Sequence, residues 1–140
     1  MNKRDIAVDV LKGLLGLPYK WGGNDRIEGF DCSGLMLEVL HSAGVVERNK
    51  DFTAEGLSNL FPVTEVLQVG VMVFWDWNND GKFDHVEMIA LVDDSGEIFT
   101  IGASGGDSRT INEDNAMSQN AFVKLRPMLA GSKLAVDPFI

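Results

Sequence analysis

The 140-residue sequence is poor in cysteine, histidine, tyrosine and positive charge. A single cysteine excludes an internal disulfide, so cysteine usage does not reveal the redox compartment. Twelve Lys and Arg stand against 21 Asp and Glu, a formal net charge of −9. That balance argues against a nucleic-acid partner, whose phosphates need a basic face. It argues equally against docking on an anionic surface without a local basic patch or a divalent cation. No apolar run approaches membrane-spanning length, so no membrane insertion is expected. The opening Met1-Asn2-Lys3-Arg4-Asp5 leads into an amphipathic stretch interrupted by Asp9 and Lys12, without the apolar segment of a signal peptide. The expectation is synthesis in the cytoplasm, with some other agent carrying or releasing the protein if it acts outside. What the chain has is 45% apolar residues and enough length for one domain with a real core.

Helical spacing of Ile6, Ala7, Val10, Leu11 and Leu14 predicts a helix over 5–15, stopped at Gly16. Pro18 to Gly23 reads as a turn-rich aromatic connection, and Asn24 to Glu28 as a polar loop. A second helix is predicted from Cys32 to Ala43, closing at Gly44. Thr53 has the character of an N-cap for a short helix through Leu60, which Phe61-Pro62 ends. From Val71 onward the texture is that of strands: 71–75, 85–92, 97–103 and 121–126. Residues 104–108 form a glycine-rich loop, and 111–120 read as a loop or a short helix. No repeat and no linker is present. Helices followed by strands predict a single α+β domain over 1–140, with helices packed on an antiparallel sheet.

The lone Cys32 stands at the start of a predicted helix, in Gly29-Phe30-Asp31-Cys32-Ser33-Gly34-Leu35-Met36. Unpaired N–H groups and the positive end of the helix dipole favour thiolate there, and thiolate is the nucleophile. A buried structural cysteine is the other reading. A cysteine nucleophile normally needs a histidine to take its proton. His41 lies nine residues along the same helix, roughly 13 Å away at 1.5 Å per residue, and cannot reach. It suits the helix C-terminus instead. His85, at the start of a strand, is the remaining candidate, either as a catalytic base or as an exposed histidine at a strand entrance.

Four segments together resemble one family. Leu17-Pro18-Tyr19-Lys20-Trp21-Gly22-Gly23, Asp31-Cys32-Ser33-Gly34-Leu35, Gly70-Val71-Met72-Val73-Phe74-Trp75 and Asp84-His85-Val86 resemble the NlpC-type cell-wall peptidases, papain-like cysteine hydrolases. The match in order and spacing runs from about residue 5 to residue 103. The resemblance implies a papain-like fold, Cys32 as nucleophile and His85 as general base. It implies a peptidoglycan stem peptide as substrate, usually cut at a γ-D-glutamyl bond to a diamino acid. Tyr19 would lie beside the cysteine, and Asp31 and Ser33 would help to bind substrate. The backbone N–H of Cys32 would contribute to an oxyanion hole. Trp21 is a further candidate for the cleft wall, whereas Trp75 continues an apolar strand and reads as core. An amidase cutting the sugar–peptide junction with the same dyad, as in the related CHAP amidases, is the first alternative. A catalytically silent, calcium-stabilised phage structural module is the second. A phage lysin released by a holin, a tail-associated lysin and an effector delivered by a secretion apparatus all fit the expected site of action, the bacterial cell wall.

The chain departs from the resembled pattern at three places. Val71 replaces an aspartate, Glu87 stands where a glycine is usual, and Gly102 stands where the polar residue that orients the histidine is expected. Thr100 and Ser104 share the strand side of Gly102, and Glu87 shares that of His85, by the period-two rule. Any of these, a water or a backbone carbonyl remains open as the third member.

Asp76-Trp77-Asn78-Asn79-Asp80-Gly81-Lys82-Phe83-Asp84-His85-Val86-Glu87 fits D-x-[DN]-x-[DN]-G-x5-E and resembles the calcium loop of EF-hand proteins. Calcium would be held by the side chains of Asp76, Asn78, Asp80, Asp84 and Glu87 and by the Lys82 carbonyl. The competing reading is an acidic β-hairpin turn, since Asn-Asp-Gly is good turn chemistry. Strand flanks would aim Glu87 beside His85 instead.

Overall fold

The computed structural model of the chain describes residues 2–25 and 29–140. Four helices are α1 (Lys3–Gly13), α2 (Cys32–Ser42), α3 (Ala54–Ser58) and α4 (Glu113–Gln119). The strands are β1 (Asn24–Asp25), β2 (Gly29–Phe30), β3 (Met72–Trp75), β4 (His85–Val92), β5 (Ile98–Ser104), β6 (Phe122–Pro127) and β7 (Leu134–Val136). β1 pairs with β2, and the other five form one antiparallel sheet in the order β6-β5-β4-β3-β7. Three helices precede the five-stranded sheet and α4 lies between β5 and β6, an α+β arrangement of the class predicted from the residue pattern.

Each helix begins where a polar cap stands. Asn2 Oδ1 accepts the Asp5 N–H at 2.9 Å and Thr53 Oγ1 accepts the Gly56 N–H at 3.1 Å. Of residues 111–120, Glu113–Gln119 form α4, capped by Asn112. α2 is the central helix, with Leu35, Met36, Val39 and Leu40 wholly buried. Each such side chain contributes roughly 1.5–3 kcal/mol by leaving water. Gly44 follows with φ 72°, a left-handed conformation that glycine takes without strain. The expected polar loop 24–28 contains residues 26–28, which lie outside the described residues, and its first two residues form β1. The short strand β7 carries too brief an apolar run to announce itself, and only its pairing with β3 makes it a strand.

The sheet has two apolar faces. Met72, Phe74, Val86, Met88, Ala90, Ile101, Ala103 and Val123 pack with the helices in one core. Val71, Val73, Trp75 and Ile89 form a smaller cluster of their own, joined by Met128 and Leu129. β3 and β4 pair Trp75 with His85 and Val73 with Glu87. Because side chains alternate across a strand, His85 and Glu87 share the face of the smaller cluster while Val86 and Met88 face the helices. The register thus carries two ionisable residues into a buried strip of the sheet.

Candidate active site

α2 opens on the cysteine because Asp31 caps it. Asp31 Oδ1 accepts the Gly34 N–H at 2.7 Å, and the Asp31 carbonyl accepts the Leu35 N–H at 3.1 Å. The Gly23 carbonyl takes the Asp31 N–H at 3.0 Å. It also lies against Gly34, where a Cβ would collide with that oxygen and stand 2.8 Å from Asp31 Oδ1. The Trp-Gly-Gly and Asp-Cys-Ser-Gly segments are therefore fitted to one another by backbone contact. Cys32, the first residue of the helix, keeps an N–H with no partner inside the helix.

The thiol is partly buried. Its Sγ donates to the Asp84 carbonyl at 3.8 Å, and the Val86 N–H donates to the sulfur. These two backbone groups flank His85, so the sulfur rests on the stretch of chain that carries the imidazole. The helix start does not lower the thiol pKa as the sequence leads one to expect. Burial pushes the Cys32 thiol up to about 12, aided by the Asp31 carboxylate, against the opposing N–H groups of Val86 and Ser33.

His85 is buried at the start of β4. Its Nε2 lies 2.6 Å from Glu87 Oε2, leaving Nδ1 free of that carboxylate. Trp77 stacks on the ring at 4.3 Å and 17°, and Trp75 meets it tilted at 5.6 Å. Glu87 Oε2 also accepts from Arg126 at 2.6 Å, and Glu87 Oε1 accepts from Thr100 Oγ1 at 2.6 Å. Burial raises the Glu87 carboxyl, but the hydrogen bond and charge of His85, with Thr100 and Arg126, outweigh it and bring the group down to about 2. Of the candidate partners for His85, the structure brings Glu87 to the ring. Thr100 serves Glu87 instead, and the buried Ser104 hydroxyl has no hydrogen-bond partner among the described residues.

Tyr19 is buried under the loop after β5, its ring against Gly106. Burial, then Cys32, Asp31 and Asp107, all raise its hydroxyl pKa, which places it electrostatically beside the thiol. Ser33 Oγ donates to Asp31 Oδ1 at 3.3 Å. Asp31 and Ser33 line a cleft of about 220 Å³ with Gly22, Asn24, Asp51 and Phe52. Trp21 stands 54% exposed, its N–H on the Thr110 carbonyl at 2.7 Å, and lies outside that lining. His41 is remote from the thiol, as expected, and its Nε2 lies 3.1 Å from the Lys50 carbonyl.

Glu87 is not a ligand of the acidic loop. On a strand, unlike the second helix of an EF-hand, the twelfth position falls on the side of His85, and the carboxylate is consumed there. Asp84 accepts the N–H groups of Trp77 and Asn78, and Asp76 those of Asp80 and Gly81. Asp80 accepts the Lys82 N–H. Among the described residues no three His, Cys, Asp or Glu groups cluster together, a count that leaves out the Asn78 side chain and the Lys82 carbonyl of the expected set. Asp76 to Asp84 form the acidic turn between β3 and β4.

Arg126 and the cleft residues Asp51 and Phe52 were not foreseen. Arg126 reads as an outward residue of a half-exposed strand, and no sequence signal joins it to His85 across two neighbouring strands.

Comparison with known proteins gives the same assignment. The family model described as NlpC/P60 family matches residues 16–126. Murein DD-endopeptidase MepH of Escherichia coli (strain K12) is 32% identical over 85 residues, covering 58% of this chain and 31% of that protein. The bifunctional muramidase/DL-endopeptidase CwlT of Bacillus subtilis (strain 168) is 29% identical over 104 residues, covering 72% of this chain and 31% of that protein. The chain thus spans about a third of the length of these relatives. An NlpC/P60 family protein from Bacillus cereus ATCC 10987 superposes with a TM-score of 0.71 at 23% identity, over 98% of this chain and 40% of that one. With its capped cysteine helix laid on the strand that bears His85, and most of its length matched by the family model, the chain belongs to the NlpC/P60 family.

Proposed function

We propose that the domain hydrolyses an amide bond in the stem peptide of peptidoglycan, with Cys32 as nucleophile and His85 as general base. The observation that carries this reading is the seat of the thiol on the Asp84 carbonyl and Val86 N–H, either side of His85. Because burial holds the resting sulfur as a thiol, its proton passes to His85 Nδ1 as the sulfur attacks the carbonyl carbon. The Cys32 N–H faces the oxygen as it becomes negative. The C–N bond then breaks, the amine leaves with the proton from His85, and a thioester remains. Water attacks the thioester, gives a proton to His85, and the thiol is regenerated as the acid departs.

Asp31 and Ser33, which flank Cys32 in the chain and line the cleft, support a role in substrate binding. The expected bond is γ-D-glutamyl to a diamino acid. The relatives' names include both a DL- and a DD-endopeptidase.

The test is digestion of purified murein sacculi by the chain and by Cys32→Ala, with products separated by mass. The expected result is a new amino terminus inside the stem peptide, absent with the variant. A freed lactyl group would assign the amidase reaction instead. Gly102, bare where the resembled pattern carries a polar residue, favours a second reading, a catalytically silent module. Retention of the chain on sacculi without release of products would select it and overturn hydrolysis.

A further inference from the structure

Resting on the assignment of His85 as the base, we propose that Glu87 is the positioning residue for its imidazole, and that Gly102 is bare so that Glu87 can occupy this place. Two departures from the resembled pattern are then one change. The orienting group has moved from β5 to β4, and the glycine has moved the other way.

The geometry is specific. Glu87 lies on β4 two residues beyond His85, on the same face, and is wholly buried. Its Oε2 meets His85 Nε2 at 2.6 Å. A Cβ on Gly102 would collide with Glu87 Cγ, stand 2.7 Å from Cδ and 3.1 Å from Oε2. Gly102 does not have a positive φ, so its backbone conformation does not call for glycine. The requirement is space alone. A side chain at 102 and a glutamate at 87 exclude one another, so only one of the two strands can supply the orienting group.

Arg126 and Thr100 complete the arrangement. They face each other across the β5–β6 pairing, and each binds one oxygen of the carboxylate. A glutamate two residues from its histidine reaches the ring from its own strand, so it needs holding from other strands, here β5 and, beyond it, β6. Thr100 fixes Oε1 and Arg126 neutralises Oε2. Both oxygens are thereby committed, and the carboxylate has one orientation from which to receive the His85 Nε2–H.

Four variants test this: Glu87→Ala, Gly102→Ala, Glu87→Ala/Gly102→Ala and Glu87→Gly/Gly102→His. Kinetics are measured on muropeptides released from purified sacculi, and the His85 ring nitrogens are followed by ¹⁵N NMR. Glu87→Ala is expected to lower kcat about 10²-fold with little change in KM, as loss of alignment does. Its NMR spectrum should lose the protonated Nε2 signal of the wild type. Gly102→Ala should reproduce both effects, while Glu87→Ala/Gly102→Ala should be no worse than Glu87→Ala. Glu87→Gly/Gly102→His should regain at least about tenfold in kcat over Glu87→Ala, because it restores a ring on β5. A merely structural glutamate would not be replaced from another strand. An unchanged His85 spectrum in Glu87→Ala overturns the positioning role whether or not the chain digests murein. An unperturbed Gly102→Ala overturns the steric half. If sacculi are untouched by the wild type while the His85 signals respond as described, the hydrolase reading fails and the positioning of the ring stands.

Discussion

The acidic turn at residues 76–84 and the buried carboxylate of Glu87 belong to one continuous run of sequence, yet they use their charge in opposite ways. In the turn, carboxylates serve the chain's own amides: Asp76 holds Gly81 at 2.9 Å and Asp84 holds Asn78 at 3.0 Å. Glu87 serves side chains from three strands, namely His85, Thr100 and Arg126. A carboxylate in water that binds nearby N–H groups shapes a loop, and each such bond adds roughly 0.5–1.5 kcal/mol. A carboxylate out of water must be matched group for group, and once matched it immobilises what it touches.

The largest difference between the two regions should emerge when one partner is removed. Arg126→Met leaves Glu87 buried without its cation. Because the Arg126 side chain is 25% exposed, a loss of roughly 3 kcal/mol is expected, the low end for breaking a buried pair. Asp76→Asn, in the turn, should cost clearly less. Urea unfolding of both variants measures the gap. Equal losses would show that burial does not distinguish the two carboxylates.

Acid should sharpen the same contrast. The Glu87 carboxyl sits at about 2, below its ordinary 4.5, because the bonds from His85, Thr100 and Arg126 overcome the effect of burial. A depressed carboxyl lends stability above its unfolded pKa, and that stability fades as pH falls through the folded one. The Tm difference between wild type and Glu87→Gln is therefore expected to shrink between pH 4.5 and about 2. Asp76 is also lowered, by the N–H groups of Gly81, Asp80 and Asn79, but at a half-exposed position. Asp76→Asn should change the acid profile less than Glu87→Gln does.

How far the sequence disclosed all this depends on the range of the interactions. The Thr53 cap and the existence of the helices and strands were legible because they are local, Thr53 binding an N–H group three residues on. The capped helix start of Cys32 was legible for the same reason. The Asn2 cap, which starts the first helix at Lys3 rather than Asp5, was missed. The loop pattern joined Glu87 to Asp76 by spacing, whereas strand alternation aimed Glu87 at His85, and the structure follows the alternation. Arg126 was invisible because its partner lies 39 residues away in sequence. The expected thiolate rests on dipole and capping, which are local, whereas the burial that pushes the Cys32 thiol up comes from the whole fold. The thiol's value of about 12 has a direct check. Alkylation of Cys32 by iodoacetamide should be slow at pH 8 and still rising at pH values where free cysteine has levelled off. A rate matching free cysteine would restore the local estimate.

Trp77 joins the two regions, and the smallest expected effect falls on it. Its backbone belongs to the turn, with its N–H on Asp84 Oδ1 at 3.1 Å, and its ring covers His85 at 4.3 Å. An aromatic pair adds roughly 0.5–1.5 kcal/mol beyond its buried area, and Trp77 is 56% exposed, so Trp77→Ala should cost about 1 kcal/mol. Its clearer signature is chemical. His85 is 3% exposed, and removing the indole should open it to carbethoxylation by diethylpyrocarbonate. Asp84→Ala should do the same without touching either ring, because the turn then no longer fixes the Trp77 backbone. If Trp77→Ala exposes the histidine and Asp84→Ala does not, the turn and the buried strip are independent. If both do, the turn carboxylates reach the imidazole through a single stacked indole.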